Sequence, residues 1–182
     1  MSEQAGRYQR SMSGMIGALV VTLVGIAAFV GWRAFTRDDV DVAPEAVDYL
    51  ATVSYLQDAG LTVVYPANLP RGWTATSANY TAGRDVEWDM GALTTDGEFA
   101  GVRQADASVD ALVSEFVDEN AAEGPEVQLD SDVATSWRSF TDDGGDYALA
   151  AELSNETLLV YGSATPDELA DLATRLVTAD LR

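Results

Sequence analysis

The most pronounced feature of the hydropathy pattern is an apolar stretch over residues 13–35. No residue between Met12 and Trp32 is charged. A stretch of this length spans a hydrocarbon core of about 30 Å at a rise of about 1.5 Å per residue. Trp32 and Phe35 lie at its end, where aromatic side chains are enriched at the membrane interface. The pattern therefore predicts a transmembrane helix over 13–35, preceded by a short cytoplasmic tail over 1–12.

The end of this stretch favours an uncleaved signal anchor over a cleaved signal peptide. A signal peptide has an apolar region of about 7–15 residues and a small-x-small cleavage site. Here the apolar run is longer and ends in Trp32-Arg33-Ala34-Phe35. Arg7 and Arg10 on one side balance Arg33 and Arg37 on the other, so the positive-inside rule gives a tie. Because short N-terminal tails usually stay inside, we expect a single-pass protein of the cell membrane with an extracytoplasmic C-terminal domain.

Beyond the anchor, the pattern predicts a juxtamembrane linker and helix over 36–60 and an α+β domain over 61–182. Pro44 suits a first helical position, and apolar residues follow at helical spacing until Gly60. The β-branched run Leu61–Tyr65 predicts a short strand. Alternating segments separated by turn signals predict further strands over 73–80, 86–93, 98–104, 133–140, 146–153 and 157–162.

Two capped helices complete the pattern. Ser108 precedes an apolar face that begins at Val109 and predicts a helix fading after Val117. Thr165, Pro166 and Glu168 form a capping box before a second apolar face that runs to Val177. Strands followed by a helix, twice, indicate an α+β domain built on an antiparallel sheet packed with helices. The two halves share a tryptophan before a hairpin, which suggests an internal duplication, although hairpins alone produce such similarity.

The amino-acid composition limits the kinds of functional site that the chain can form. The chain contains no histidine and no cysteine, which excludes disulfides, thiolate or His-ligated metal sites, cysteine nucleophiles and Ser-His-Asp triads. The 145 residues after Arg37 carry 29 acidic residues against 6 arginines, and the chain has no lysine. Such a surface repels nucleic acid and anionic lipid headgroups. The favoured interpretation is that the acidic surface keeps the domain soluble and monomeric.

Two groups of carboxylates are candidates for chemistry. Glu87 and Asp89 flank Trp88 and would point to one face of a strand, as paired acids of a glycosidase do. In so acidic a chain, a solvated sheet face is the favoured interpretation. A second group offers oxygen ligands for Ca²⁺ without the EF-hand spacing, and an acidic turn is favoured there: Asp142, Asp143 and Asp146.

Other side chains have a structural and a functional interpretation. The large aromatics could line a ligand groove, but in a small domain they are expected in the core: Trp73, Trp88, Trp137 and the tyrosines. Arg103 and Arg138 are expected to pair with carboxylates rather than to bind an anion. Ser163 lacks a histidine or lysine to activate it.

Short motifs distributed along nearly the whole chain carry a resemblance to a known family. They are Leu69-Pro70-Arg71-Gly72-Trp73, Trp88 before Thr95-Asp96-Gly97, Gln104-Ala105-Asp106, Trp137 before Tyr147-Ala148-Leu149, and Gly162-Ser163-Ala164 before Glu168-Leu169. With these motifs the chain resembles the actinobacterial membrane-anchored domain-of-unknown-function family 4245. The resemblance implies a membrane-anchored envelope protein and carries over no catalytic residue. The layout is also similar to Mog1/PsbP-like α+β folds, a likeness that transfers no function.

The sequence therefore favours a non-catalytic cell-envelope module that binds a protein or a small apolar ligand and is held in the bilayer by its N-terminal helix. We assign no catalytic, cofactor-binding or metal-binding residue. One alternative is a carboxylate-dependent hydrolase of envelope glycans that uses Glu87 and Asp89. Another is a weak calcium-binding adhesion or sensing module.

Overall fold

The computed structural model describes residues 45–81 and 87–181, together with Thr22, Ile26 and Phe29. Apart from those three positions, the predicted transmembrane segment 13–35 lies outside the described residues, as do the tail 1–12 and the turn 82–85. Within the described part of the chain, no helix combines the length and the apolar character needed to cross a membrane. Residues Pro44–Arg182 form a compact unit.

The predicted helices and strands of this unit are present in the predicted order, together with three two-residue strands that the sequence pattern does not predict, over 122–123, 127–128 and 176–177. The helices are α1 (Tyr49–Asp58), α2 (Val109–Phe116) and α3 (Pro166–Thr174). The strands are β1 (Tyr65–Pro66), β2 (Thr74–Thr81), β3 (Glu87–Leu93), β4 (Phe99–Ala105), β5 (Ala122–Glu123), β6 (Val127–Gln128), β7 (Ser136–Thr141), β8 (Tyr147–Glu152), β9 (Thr157–Gly162) and β10 (Leu176–Val177).

The main sheet is antiparallel throughout. Its strand order is β2-β3-β4-β9-β8-β7, with the short strands β5 and β6 both pairing with β7. Strands β1 and β10 form a separate antiparallel pair. The predicted α+β class with an antiparallel sheet and packed helices is therefore confirmed.

The sheet carries a core on each face, because successive side chains of a strand point to opposite sides. One face, called the Trp88 face, packs against α1 and α3 through Val53, Leu56, Leu169 and Leu172. Helix α1 was predicted as part of the juxtamembrane segment 36–60, but it contributes to the core of the domain. The other face, called the Arg103 face, packs against α2 over β7, β8 and β9.

Two predicted helix boundaries are wrong. Helix α1 begins at Tyr49 rather than at Pro44, because Asp48 caps it and accepts the Ala51 N–H. The last helix ends at Thr174 instead of continuing to Val177. Its final apolar residues leave the helix and pair with β1, which places Val177 opposite Tyr65.

Two predicted strands are shorter than the pattern suggests. The run Leu61–Tyr65 forms a ladder only at Tyr65. Val64, just before it, is held by side chains instead, since its N–H donates to Gln104 Oε1 and its carbonyl accepts from Trp88 Nε1. The strand predicted over 133–140 begins at Ser136.

The similarity between the two halves extends only to their hairpins. Helix α2 follows directly after the hairpin β3–β4, whereas a third strand separates the hairpin β7–β8 from α3. The two helices also pack on opposite faces of the sheet.

The predicted capping box of α3 is present, and it provides a test of local stability. Thr165 Oγ1 accepts the Glu168 N–H at 3.4 Å, and Glu168 Oε2 accepts the Thr165 N–H at 3.0 Å. Replacing Thr165 by alanine is expected to lower the free energy of unfolding by about 1 kcal/mol. Urea unfolding of the full chain in detergent measures this loss. Thr165→Ser keeps the hydroxyl and should unfold like the natural chain; an equal loss in both variants would contradict the role of the cap.

Candidate functional site

The candidate carboxylates Glu87 and Asp89 lie together on the Arg103 face of β3. Trp88 between them points to the opposite face, where it is 2 % exposed. The register of β3 and β4 sets Asp89 opposite Arg103. The Arg103 guanidinium bonds Glu87 Oε2 at 2.6 Å and Asp89 Oδ1 at 3.5 Å. The predicted common face is confirmed, and so is the predicted pairing of Arg103 with carboxylates.

Aromatic side chains enclose this arginine. The Arg103 guanidinium lies 4.4 Å from the centroid of the Phe116 ring, a cation–π distance. The Phe116 ring in turn contacts Tyr161, with their centroids 5.4 Å apart. The Arg103 side chain is only 12 % exposed, and its buried Nε has no hydrogen-bond partner among the described residues. Glu87, Asp89, Arg103, Phe116 and Tyr161 together are called the Arg103 cluster.

Electrostatics in the Arg103 cluster are those of a partly buried ion-pair network. Burial raises the pKa of the Tyr161 hydroxyl, and the charge of Asp89 raises this pKa further. Both carboxylates are engaged by one guanidinium. The cluster therefore joins the end of α2 to the sheet.

The second candidate arginine is also paired, as predicted. Arg138 bonds Glu123 at 2.7 Å and Asp110 at 3.3 Å, and its guanidinium lies 5.0 Å from the Phe140 ring centroid. Hydrogen bonding to Arg138 lowers the pKa of the Glu123 carboxyl. These partners tie β7 to β5 and to α2.

The candidate calcium ligands form a hairpin turn. Asp142 Oδ1 accepts the Asp146 N–H at 2.7 Å, and Gly145 adopts the positive φ of 98° that the turn requires. The predicted acidic turn is confirmed. Among the described residues, no group of three or more acidic side chains is arranged to hold a metal ion.

The Ser163 hydroxyl makes two hydrogen bonds to the chain segment at the start of β4. It donates to Glu98 Oε2 at 2.6 Å and accepts the Phe99 N–H at 3.0 Å. These bonds fasten the end of β9 to the start of β4.

The tryptophans occupy the core, as predicted. Trp88 and Trp137 are 2 % and 0 % exposed, and Trp73 packs against the same core while partly buried. A cavity of about 250 Å³ borders Trp88 and Gln104. It falls just below the size range of about 300–1,000 Å³ that is typical of ligand pockets. The Gln104 side chain beside it is fully used, because it bonds the Val64 N–H, the Thr62 carbonyl and Glu156.

Two tyrosines depart from the expectation that aromatics lie in the core. Tyr55 on α1 and Tyr80 on β2 are 59 % and 41 % exposed, with ring centroids 5.7 Å apart. Together with Ala51 and Thr52 they line an open groove of about 360 Å³. These four residues are called the Tyr55–Tyr80 surface. Hydrogen bonding to the Tyr55 side chain raises the pKa of the Tyr80 hydroxyl.

Sequence signals for this surface exist but are indirect. In α1 the residues that face the core are Tyr49, Val53 and Leu56, and Tyr55 lies off that face. Tyr80 belongs to a run without charge from Gly72 to Gly83. These two signals indicate an exposed apolar patch only when the helix and the strand are known to be neighbours. The sequence alone does not show that they are.

A protein-family model matches most of the chain. The model of a family described as "Protein of unknown function (DUF4245)" matches residues 7–176 of the chain. That range includes the predicted anchor as well as the sheet and its helices. No curated protein matches the chain.

Proposed function

The chain belongs to the DUF4245 family of proteins of unknown function, and we propose that it is a non-catalytic, membrane-anchored binding module. In this proposal, the N-terminal helix over 13–35 crosses the cell membrane and leaves the tail over 1–12 in the cytoplasm. The α+β domain lies on the outer side of the membrane and contacts a protein partner through the Tyr55–Tyr80 surface.

The observation that carries the proposal is the exposure of two adjacent tyrosines. Tyrosine is enriched at protein interfaces because its ring offers apolar area and its hydroxyl keeps a hydrogen-bonding group. Tyr55 and Tyr80 expose their rings side by side, whereas Trp88 and Trp137 are buried. Their groove is wide and open, a shape that suits a protein surface better than an enclosed small ligand.

Support for the membrane anchor comes from the sequence and from the matched range. The family match begins at residue 7 and so includes the uncharged stretch between Met12 and Trp32. Ile26 and Phe29 are helical and are 55 % and 66 % exposed, as apolar side chains facing lipid would be.

The state of the candidate carboxylates supports the non-catalytic part of the proposal. A glycosidase needs one carboxyl group as an acid and a second as a base or nucleophile, both directed at a substrate. Glu87 Oε2 and Asp89 Oδ1 instead accept from Arg103, and Asp89 Oδ2 accepts from the Asn79 side-chain amide. Turnover of envelope glycans by the purified full chain, lost in Glu87→Gln, would favour the hydrolase instead.

The binding role is tested by site-specific photo-crosslinking in the membranes of the source cells. Benzoyl-phenylalanine at position 55 is expected to give one discrete adduct, because Tyr55 lies in the proposed contact. The same probe at Asn155, which is exposed on the β8–β9 turn, is the matched control and should give no such adduct. Tyr80→Ser combined with the probe at position 55 should reduce the adduct about tenfold, as loss of an interface tyrosine costs more than about 1 kcal/mol. Equal adducts at positions 55 and 155 would remove the support for this surface.

A further inference from the structure

Strand β2 is an edge of the main sheet, and no described strand pairs with its outer side. Among the strands formed by residues 45–81 and 87–181, it pairs only with β3. At its start, the Val47 N–H donates to the Ala75 carbonyl at 2.9 Å, so the chain before α1 covers that position. The remainder of the strand runs on from there to Thr81.

The register identifies which backbone groups of β2 point outward. In an antiparallel sheet, a residue of a central strand bonds alternately to one neighbour and to the other. The Thr94 N–H donates to the Glu98 carbonyl across the β3–β4 hairpin, so Met90 and Trp88, in step with Thr94, bond to β4. Ala78 and Tyr80, which lie opposite them, therefore turn their N–H and C=O groups away from β3.

These outward groups have no protein partner within 45–81 and 87–181. Natural edge strands are usually protected from pairing with other chains by charged side chains, proline or a short length. Strand β2 is eight residues long, and none of its residues is charged or proline. It has a bulge between Ala75 and Ser77, but the strand after it is regular.

We propose that β2 pairs with β2 of a second copy of this chain, antiparallel and with a two-fold axis at Asn79. In that register, Ala78 of each copy lies opposite Tyr80 of the other. Each of these two pairs exchanges two hydrogen bonds, so all four outward groups of each strand are satisfied. The edge is thus complementary to itself, as a two-fold interface requires.

Strand β2 is uncharged, so a second copy can pair along it without opposing like charges. Two copies of so acidic a domain repel each other across most of their surfaces. Along the proposed contact every opposed pair is neutral: Ser77 with Thr81, Ala78 with Tyr80, and Asn79 with Asn79. A strand edge suited to a basic segment would carry carboxylates, and β2 carries none.

The pairing goes beyond the proposed function, since it uses the backbone groups of Ala78 and Tyr80 rather than the exposed side chains of the Tyr55–Tyr80 surface. It would place two such surfaces side by side. A single strand pair buries little area, so the contact is weak between free molecules. Confinement in one membrane, which rests on the proposed function, raises the effective concentration of the two copies.

Disulfide crosslinking tests the register directly, because the natural chain has no cysteine. Opposed residues of a non-hydrogen-bonded antiparallel pair have Cα atoms about 4.5 Å apart, within the disulfide range. The full chain carrying Asn79→Cys, oxidised in its membranes with dioxygen and copper phenanthroline, is expected to form a disulfide-linked dimer. In Thr81→Cys the two thiols lie about 14 Å apart along the strands, which is too far.

The controls separate a specific pairing from random collision. Asn155→Cys replaces the same residue type at another exposed position. We expect at least tenfold more dimer from Asn79→Cys than from Thr81→Cys or Asn155→Cys. Adding Ala78→Pro to Asn79→Cys removes an outward N–H without touching the bonds to β3, and should reduce the dimer about tenfold with an unchanged far-UV circular dichroism spectrum.

Several results would overturn the pairing. Equal dimer from all three single-cysteine variants shows collision without register. A disulfide adduct of Asn79→Cys with another protein assigns the edge to that protein. The comparison of positions 79 and 81 does not depend on how Ala78→Pro folds. If the Asn79→Cys dimer does not form but the photo-crosslinked adduct at position 55 does, the pairing is wrong and the proposed function stands. If the dimer forms but the adduct at position 55 does not, the proposed function is wrong and the pairing stands.

Discussion

Replacing Trp88 by alanine is expected to lower the free energy of unfolding by about 3–5 kcal/mol, the usual cost of deleting a fully buried large aromatic side chain. Trp88 is 2 % exposed on the face of β3 that packs against the main core. Its indole N–H also donates to the Val64 carbonyl at 3.0 Å. Because domains of this kind are stable by about 5–15 kcal/mol, the loss is a large share of the total. Urea unfolding followed by far-UV circular dichroism measures it.

Two further variants separate the contributions of Trp88. Trp88→Phe keeps most of the ring but leaves the buried Val64 carbonyl without its donor, at a cost of about 1–3 kcal/mol. Trp73→Ala is the matched control, since Trp73 is only partly buried and should cost much less. A Trp88→Ala variant that unfolds within about 1 kcal/mol of the natural chain would contradict the assigned core position.

Local signals predicted most elements of this fold. The capping residues Ser108 and Thr165 start α2 and α3 as expected, because their hydroxyls accept N–H groups only a few residues ahead. The glycines at 97 and 145 mark hairpins for the same reason, since a positive φ is a local requirement. These signals act within one turn of the chain, so the sequence carries them directly.

Features that depend on distant partners were not predicted. Leu176 continues the apolar spacing of α3, yet it pairs with Pro66, more than one hundred residues earlier. Helical spacing alone cannot reveal a strand partner that far away. Likewise, Val64 owes its place to the Gln104 and Trp88 side chains rather than to its own β-branched neighbours.

The candidate sites also combine features that local signals predict with features that depend on distant residues. The alternation of Glu87, Trp88 and Asp89 predicted which side chains share a face, because that follows from strand geometry. Their partner Arg103 required the register of β3 with β4. The Tyr55–Tyr80 surface could not be predicted without knowing that α1 packs beside β2. The general expectation that aromatic residues are buried was therefore right for Trp88 and wrong for Tyr80.

Replacing Arg103 by methionine is expected to lower the free energy of unfolding by about 1–3 kcal/mol. Removing one partner of a buried ion pair costs about 3–5 kcal/mol, and the value here is smaller because Glu87 and Asp89 are 37 % and 32 % exposed. Methionine keeps the apolar contact with Phe116 while the charge is lost. Arg138→Met is the matched control: its side chain is 38 % exposed and its ion pairs should contribute less than about 1 kcal/mol.

The triple variant Arg103→Met, Glu87→Gln, Asp89→Asn tests why the arginine matters. If Arg103 stabilises the domain by neutralising two neighbouring carboxylates, removing their charges should recover most of the loss seen in Arg103→Met. If its main contribution were the cation–π contact with Phe116, the triple variant would stay as unstable as the single one. The amide pair Glu87→Gln, Asp89→Asn alone should leave the crosslink at position 55 unchanged, because the Arg103 cluster lies on the opposite face of the sheet from α1. A lost crosslink in that variant would place the carboxylates in the binding site and contradict their assignment as a structural ion-pair network.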